Sequence, residues 1–400
     1  MNKNIEKLYT LSGKPRRLII GLMSGTSLDG LDVALCVVSG AGTRMQLNLQ
    51  AFRTVPYTPA FKEEITGIFS TRLADLEQVC IMNEWIARQH AGMILECLRQ
   101  WGVSPQEIDL IASHGQTIFH APRILHRKDH FPDATLQIGD GDHIAVLTGI
   151  ITISDFRQKH IAAGGEGAPL AAYGDYLLFS KKGENRIMLN IGGIANFTFL
   201  PGTLEGEKVF STDTGPGNTM MDAFIRKHYP GSYFDEDAAL ARIGSVNSRL
   251  LEKLLDHPFF EKPFPKTTGP ELFNLSYLEE AQQQSGTADL SHADIMATLN
   301  MFSAVTIADA IQKATGHHTD FHFFVSGGGM HNPLLLKNIQ NRLPGSVFRT
   351  TEDLNVHPDA KEAVLFAILA NETVAGGDTG FGNATTGMPS VSMGKISFPS

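Results

Sequence analysis

The sequence predicts an α/β protein with two domains, each built on a mixed five-stranded sheet flanked by helices. Two glycine-rich turns that follow apolar strands support this prediction, in the segments IIGLMSGTSLDGLDVAL (19–35) and RIMLNIGGIANFTFL (186–200). A strand that enters such a turn and returns as a strand exposes several backbone N–H groups, which suits an anion such as a phosphate. The order of strands and helices after the first turn recurs after the second, so one architectural unit is repeated.

Composition narrows the class of protein. The chain has 400 residues, of which 42% are hydrophobic and 19% charged, and two domains of ordinary size account for this length. The formal net charge of −9 argues against general nucleic-acid binding, which needs a basic surface. We find no apolar stretch of the roughly 18–20 residues that span a bilayer. The polar N-terminus carries no hydrophobic signal core. We therefore expect a cytoplasmic protein.

The hydropathy pattern predicts the strands and helices of the first half of the chain. Residues 1–16 are expected to be a short flexible extension. Apolar residues at helical spacing, among them Ile86, Ile94 and Leu98, predict a helix over 76–98. The other predicted elements are strands over 17–24, 31–38, 45–54, 109–113 and 150–153, and a helix over 142–147. The N-terminal domain is predicted to comprise residues 1–155 and part of the C-terminal tail, about 380–400.

The second half repeats the series. Its predicted strands cover 187–191, 196–200, 208–212, 322–326 and 346–350, and its predicted helices cover 218–228, 333–343 and 360–375. A mostly helical insertion is predicted at about 234–316. The second domain is predicted over residues 156–380.

This duplicated pattern resembles the superfamily of actin, the sugar kinases and the heat-shock chaperone ATPases, whose domains are ribonuclease-H-like. The resemblance implies that ATP lies between the two domains and that one hairpin from each touches the phosphates.

The first glycine-rich turn is the predicted phosphate hairpin. Its hydroxyl groups add donors to the backbone, although a hairpin without a ligand would have much the same sequence. The superfamily usually has an aspartate where Met23 stands, so the metal ligands stay open, with Asp29 near enough to hold hydrated Mg²⁺. The predicted nucleotide contacts here are Gly25, Thr26, Ser27, Leu28, Asp29, Gly30, Leu31 and Asp32.

Two further glycine motifs lie in the second half. The second hairpin and the strand–glycine–helix motif SGGGMHNP (326–333) are predicted to contact phosphate or adenosine, because a helix N-terminus favours negative charge. Simple turns are the alternative for both. The predicted contacts are Gly192, Gly193, Asn196, Gly327, Gly328, Gly329 and Asn332.

Three polar motifs stand at strand ends or in the linker. Asp213 closes a strand in DTGPGN, where a carboxylate can act as a general base or merely bond to its own turn. His114, Gln116 and Thr117 in HGQT are predicted to bind substrate, since ligands lie beyond strand ends in open sheets; a satisfied core histidine is the alternative for His114. The glycines of GGEGAPL (164–170) form a hinge or a ligand loop. Glu362, in a first helical turn, reads from the sequence alone as a surface residue.

Taken together, these blocks resemble the anhydro-N-acetylmuramic acid kinase family from Leu18 to about Gly394. The segments are GLMSGTSLDGLDVAL, ASHGQTIFH, TLQIGDG, GGEGAPL, LNIGGIAN, DTGPGNTMMDAF and GGGMHNPLL. The resemblance implies an ATP- and Mg²⁺-dependent kinase of cell-wall recycling. It would open 1,6-anhydro-N-acetylmuramic acid and phosphorylate O6, giving N-acetylmuramic acid 6-phosphate.

The resemblance also implies residue roles. Asp213 would be the catalytic base that takes a proton from the attacking water, and Glu362 would orient sugar and water. A homodimer is implied as well. His160, and the segment LAAYGD (170–175), depart from the family pattern in the hinge or sugar loop.

Two other functions are weighed against this one. The first is an ordinary sugar 6-kinase on the same fold, acting on a free hydroxyl. The second is an actin-like nucleotide switch whose ATP hydrolysis serves conformation.

Overall fold

Strands form where Val, Ile, Leu and Phe are concentrated, because these side chains pack well on a pleated surface. The computed structural model describes residues 1–25, 28–316, 320–354, 356–376, 381–382 and 388–400. In chain order the strands are β1 (Arg16–Ser24), β2 (Gly30–Ser39), β3 (Gln46–Pro56), β4 (Leu110–Ala121), β5 (Ala134–Ile138), β6 (Thr152–Ser154), β7 (Asn185–Ile191), β8 (Ile194–Leu200), β9 (Phe210–Pro216), β10 (Phe321–Ser326), β11 (Val347–Thr350) and β12 (Lys395–Ser397).

Several helices begin after a polar residue whose side chain accepts a hydrogen bond from the first turn, as Asp75 and Ser291 do. The helices are α1 (Lys3–Gly13), α2 (Pro59–Thr66), α3 (Leu76–Trp101), α4 (Arg123–His126), α5 (Gly141–Thr148), α6 (Phe156–Ala162), α7 (Ala171–Phe179), α8 (Thr219–His228), α9 (Ala239–Ile243), α10 (Ser248–Leu255), α11 (Leu275–Ser285), α12 (His292–Ala314), α13 (Pro333–Arg342) and α14 (Lys361–Ala375).

The chain divides into two compact units. The first comprises Met1–Phe179, Glu205–Glu207 and Asn355–Ser400, and the second comprises Ser180–Leu204 and Lys208–Leu354. This division differs from the predicted domain borders, because α6, α7 and α14 belong to the first unit.

The sheet of the first unit has the strand order β12-β6-β4-β1-β2-β3, with β5 paired to β4. The β1–β2 and β2–β3 pairs are antiparallel, whereas the β1–β4 and β4–β6 pairs are parallel. β12, from the C-terminal tail, pairs antiparallel with β6. The predicted five-stranded sheet is therefore wrong for this unit, because β5 and β12 extend it to seven strands.

The sheet of the second unit has the order β11-β10-β7-β8-β9. Its β7–β8 and β8–β9 pairs are antiparallel, and β7–β10 and β10–β11 are parallel. Five strands in each unit thus share one order and one set of directions. The predicted α/β class, with two mixed sheets flanked by helices, is confirmed.

Each unit has its own core, and each also contains a long helix that is largely buried. In the first unit α14 lies so close to β1 that a Cβ on Gly21 would sit 2.0 Å from the carbonyl oxygen of Ala363. In the second unit α12 is long and apolar enough to cross a membrane, contrary to the expectation from the sequence. However, 83% of its most apolar window is buried inside the protein, as in a core helix.

The N-terminal residues are not the predicted flexible extension. They form α1, whose Leu11 is buried. Arg17 ties this helix to the sheet, donating from Nε to the Leu11 carbonyl and from Nη2 to the Ser12 carbonyl, each at 2.8 Å. A third bond runs from Arg17 Nη1 to Asn371 Oδ1 on α14 (3.0 Å).

Candidate functional site

The first glycine-rich turn joins β1 to β2, as predicted. Thr26 and Ser27 lie outside the described residues. Leu28 has a left-handed backbone (φ 57°), and the exposed Asp29 accepts a hydrogen bond at its carbonyl from the Tyr57 N–H (3.1 Å).

The residues that follow this turn belong to β2. The backbone at Gly30 runs close to β3, since a Cβ there would sit 2.4 Å from the Val55 carbonyl oxygen. Leu31 is in the core, so its side chain is structural. Asp32 is half-buried and accepts a hydrogen bond from Thr54 Oγ1 at 2.5 Å. Burial raises the pKa of Asp32, and the charges of Asp359 and Asp29 add to the increase.

A cavity of about 340 Å³ lies in the first unit at the end of β1. It brings together four residues predicted from sequence and three that were not. The predicted ones are Gly25, His114, Thr117 and Glu362; the others are Met23, Ser24 and Arg157. A concave site with converging polar groups is where a small ligand is expected to bind.

Arg157 ties the wall of this cavity together. Its Nε donates to His114 Nε2 at 2.9 Å, and its Nη1 donates to the Gly167 carbonyl at 2.8 Å. Burial, with the Arg157 charge, lowers the pKa of His114 to about 3. His114 is therefore neutral at pH 7, with its proton on Nδ1 and Nε2 as acceptor.

His160 has a structural place in the same loop. Its Nδ1 accepts a hydrogen bond from the Gly167 N–H at 2.9 Å. Burial and the Arg157 charge lower the pKa of His160 to about 4. The two α6 side chains, Arg157 and His160, thus hold the Gly167 residue by its carbonyl and its N–H.

Gln116 lies beside the cavity, fully buried. Its Oε1 accepts a very short hydrogen bond from Ser24 Oγ, and its Nε2 donates to the Thr117 carbonyl at 3.2 Å. Ser24 Oγ lies 2.6 Å from the Tyr57 hydroxyl, which lies 2.9 Å from His90 Nε2. These bonds fix Ser24, which lines the cavity, and they occupy the Gln116 amide.

Glu362 lies in the first turn of α14. Its side chain is exposed to solvent in the cavity, although many protein atoms surround it. Burial raises its pKa, and so does Asp32, whereas Arg157 and Lys361 lower it. Solvent that reaches this exposed side chain weakens each of these effects. Lys361 Nζ pairs with the buried Asp175 Oδ1 at 2.8 Å, which anchors the start of α14 to the LAAYGD segment.

In the second unit, Asp213 lies on β9 opposite Asn196 of β8. Its carboxylate Oδ2 accepts a hydrogen bond from the Thr268 N–H at 2.9 Å. Burial raises the pKa of Asp213 to about 6; the Thr268 bond opposes this increase and the Glu271 charge adds to it. A carboxylate with a pKa near the working pH suits general-base chemistry.

The second glycine turn, Gly192-Gly193, joins β7 to β8 and is braced by the start of α8. The Gly193 carbonyl accepts from the N–H groups of Gly217 (2.8 Å) and Thr219 (3.1 Å), and the Gly192 carbonyl accepts from Asn218 (2.9 Å). A Cβ on Gly217 would sit 2.3 Å from the Gly192 oxygen. The DTGPGN motif therefore shapes this turn as well as supplying Asp213.

The triple glycine packs on the end of β7. Gly327 has φ +82°, and a Cβ there would lie 2.6 Å from Asn190 Oδ1. Gly329 is buried against Ile191, whereas Gly328 is exposed.

Asn332, beyond these glycines, has a structural contact that the sequence prediction did not include. Its Oδ1 caps α13 by accepting from the Leu335 N–H (2.9 Å) and also accepts from Asn300 Nδ2 (3.1 Å).

A metal site is not evident in the part of the chain that the structure describes, since no group of three or more His, Cys, Asp or Glu side chains there is arranged to hold an ion.

Sequence reasoning missed Arg157, Ser24 and Thr268. Arg157 follows β6, the strand that pairs with β4, so a basic residue after a buried strand was the available signal. Thr268 acts through its backbone N–H, which leaves no mark in the sequence.

Comparison with known proteins gives a consistent result. The family model described as "Anhydro-N-acetylmuramic acid kinase" matches residues 17–399. Relatives of that name from Pseudoalteromonas atlantica and Pseudoalteromonas translucida are 56% and 52% identical, and each match covers 100% of both chains. A solved ROK family glucokinase from Streptomyces griseus, in complex with glucose and AMPPNP, is 12% identical with a TM-score of 0.34, over 88% of this chain and 98% of that one. A likeness of this degree does not bear on function. The family model and the full-length relatives show that the chain belongs to the anhydro-N-acetylmuramic acid kinase family.

Proposed function

We propose that the protein is a cytoplasmic ATP-dependent kinase that opens 1,6-anhydro-N-acetylmuramic acid and phosphorylates its O6. The products are N-acetylmuramic acid 6-phosphate and ADP, and the step belongs to peptidoglycan recycling. The main structural support is Asp213, a half-buried carboxylate held by the Thr268 N–H, with its pKa raised to about 6. The substrate is the one that the names of the full-length relatives give.

The chemistry assigned to Asp213 follows from the substrate. In the anhydro sugar O6 is bonded to C1 and carries no proton, so it cannot be activated by deprotonation. Water attacks C1 and gives a proton to the Asp213 carboxylate. The electrons of the C1–O6 bond go to O6, which bonds to the terminal phosphorus of ATP while ADP leaves.

Asp213 must be ionised to accept that proton. Burial favours its neutral form, and the Thr268 N–H favours the carboxylate. The balance leaves the group mostly ionised at pH 7 but basic enough to take a proton, which is the compromise that a general base needs.

We assign the cavity of the first unit to the sugar. Glu362 would orient sugar and water through its carboxylate, and His114 and Thr117 would offer hydrogen-bonding groups. Burial, with the Arg157 charge, keeps His114 neutral, and the same Arg157 charge opposes the rise in the pKa of Glu362 that burial and Asp32 cause.

We assign the nucleotide phosphates to the backbone N–H groups of the glycine turns, where the absence of side chains allows close approach. Mg²⁺ would neutralise phosphate charge and be held mainly by phosphate and water, and Asp29 and Asp32 are the protein carboxylates that could hold its hydration shell. Burial is the largest cause of the raised pKa of Asp32, and a bound cation would relieve the repulsion from Asp359 and Asp29 that adds to it. A homodimer is proposed on the family resemblance.

An isotope experiment tests the reaction. The protein is incubated with ATP and the anhydro sugar in oxygen-18 water, and the product is analysed for the position of the label. We expect the label at C1 and none in the transferred phosphate. Preference for open N-acetylmuramic acid would favour an ordinary 6-kinase. ATP turnover that ignores every sugar, together with filament formation, would favour a nucleotide switch.

A further inference from the structure

The segment Lys266–Thr268 runs along β9 beside the proposed base. The Asp213 N–H donates to the Lys266 carbonyl at 3.0 Å, and the Lys266 N–H donates to Thr212 Oγ1 at 2.9 Å. Two residues further on, Thr268 donates its N–H to the Asp213 carboxylate at 2.9 Å. The position of that last donor therefore depends on what holds this segment in place.

Lys266 is an unusual anchor because its side chain points into the protein. The residue is only 7% exposed. Its Nζ donates to the carbonyls of Phe259 (3.1 Å) and Phe260 (3.3 Å). Among the described residues, no carboxylate lies within ion-pairing distance of this ammonium. A buried charge without a counter-ion costs stability, and the carbonyls compensate part of that cost.

Aromatic rings supply the rest of the surroundings. The ammonium lies 4.6 Å from the ring centre of Phe259 and 4.8 Å from that of Phe264, within cation–π range. Phe259 is itself fixed in the core, 5.6 Å from the ring of Phe273. The Lys266 side chain thus joins the segment beside Asp213 to a rigid aromatic cluster.

We propose that Lys266 is a positioning residue for the reaction: its caged ammonium fixes the segment 266–268 so that the Thr268 N–H stays on the Asp213 carboxylate. The inference rests on the proposed function only in taking Asp213 as the base. Lys266 does not touch the reacting atoms. Its effect reaches them through one backbone hydrogen bond.

The test compares two substitutions at this position with a matched control. Lys266→Met keeps the length and the apolar stem but removes the donors and the charge. Lys266→Arg keeps the hydrogen-bond donors and the positive charge. Lys337→Met removes an exposed lysine on α13, which is not part of the aromatic cage, and serves as the control. Two quantities are measured for each variant: amide hydrogen exchange at Thr268, and the pH dependence of kcat/KM.

We expect exchange at Thr268 to be tenfold or more faster in Lys266→Met, and close to wild type in Lys266→Arg and Lys337→Met. Because loss of the Thr268 bond removes what lowers the Asp213 pKa, the acidic limb of kcat/KM should move up by about one pH unit in Lys266→Met. KM for ATP should not change. Unchanged exchange and an unshifted limb in Lys266→Met would overturn the proposal.

Should Lys266→Met fail to fold, Phe264→Leu opens one wall of the cage and leaves the lysine in place. It should accelerate exchange at Thr268 in the same direction, and wild-type exchange in this variant would count against the proposal. The exchange measurement needs no substrate. Failure of the proposed function, seen as no phosphorylation of the anhydro sugar by wild type, is therefore distinguishable from failure of the Lys266 proposal.

Discussion

The substitution Asp213→Asn separates what the carboxylate contributes to turnover from what it contributes to the stability of the folded protein. Asparagine is almost isosteric and its Oδ1 can still accept the hydrogen bond from the Thr268 N–H. It cannot take a proton from water. We expect turnover to fall by about 10²–10⁴-fold, the range for losing a general base, which corresponds to roughly 3–5 kcal/mol in the activation barrier.

The same substitution should make the folded protein more stable. The Asp213 pKa rises from 3.8 to about 6 on folding, so the folded state binds the proton more tightly than the unfolded state does. Stability therefore falls as pH rises from about 4 to 6, and the full cost of the buried charge is present above pH 6. A shift of about two pH units corresponds to at most about 3 kcal/mol. Asparagine carries no charge to bury, so the variant should be more stable than wild type at pH 8, and the difference in stability should vanish near pH 4.

Three measurements test this reasoning. ADP release with the anhydro sugar gives turnover, a fluorescent nucleotide gives ATP affinity, and urea unfolding at pH 4 and pH 8 gives stability. ATP affinity should stay at the wild-type value. Wild-type kcat/KM should fall below pH 6 as Asp213 becomes protonated. Near-normal turnover of Asp213→Asn, or a flat wild-type profile between pH 5 and 8, would refute the assignment of the base.

Three further outcomes are expected. Glu362→Gln should lower kcat at least tenfold with ATP affinity retained; unchanged kcat and sugar KM would remove Glu362 from the site. Gly217→Ala places a Cβ 2.3 Å from the Gly192 carbonyl oxygen and should raise KM for ATP, whereas Gly92→Ala, whose Cβ would meet nothing within 4 Å, should leave it unchanged. An equal KM for ATP in the two alanine variants would count against ATP binding at the Gly192-Gly193 turn. Asp32→Asn should raise the Mg²⁺ concentration for half-maximal activity several-fold. An unaltered Mg²⁺ titration would show that Asp32 does not contribute to Mg²⁺ binding.

The order of strands and helices was predictable because hydropathy records it directly. β1 and β2 are apolar runs, β3 alternates polar and apolar residues, and α3 shows its buried face at helical spacing. α1 was missed because it is weakly apolar. Arg17 holds it through bonds to two of its carbonyls and to Asn371, contacts that arise only in the folded chain.

The candidate site was predictable only where a motif marks it. DTGPGN pointed to Asp213. HGQT pointed to His114, although the predicted strand end at Ser113 is wrong, because β4 continues through this motif to Ala121 and pairs there with β5. The surroundings of Glu362 could not be predicted from the sequence, because Arg157 and Asp32 come from distant parts of the chain and approach it only through folding. Thr268 could not be predicted for a different reason: its effect on Asp213 runs through its backbone N–H, which every residue type except proline supplies alike.

The packing of α14 against β1, and of β12 against β6, affects the order in which the protein can mature during synthesis. The second unit is one nearly continuous stretch and can fold once residue 354 has left the ribosome. The first unit begins earlier but lacks a central helix and an edge strand until the tail is made. At the usual elongation rate of about 5–20 residues per second, its half-finished sheet would wait roughly ten to forty-five seconds. A chaperone that covers an exposed apolar sheet face would be most useful in that interval.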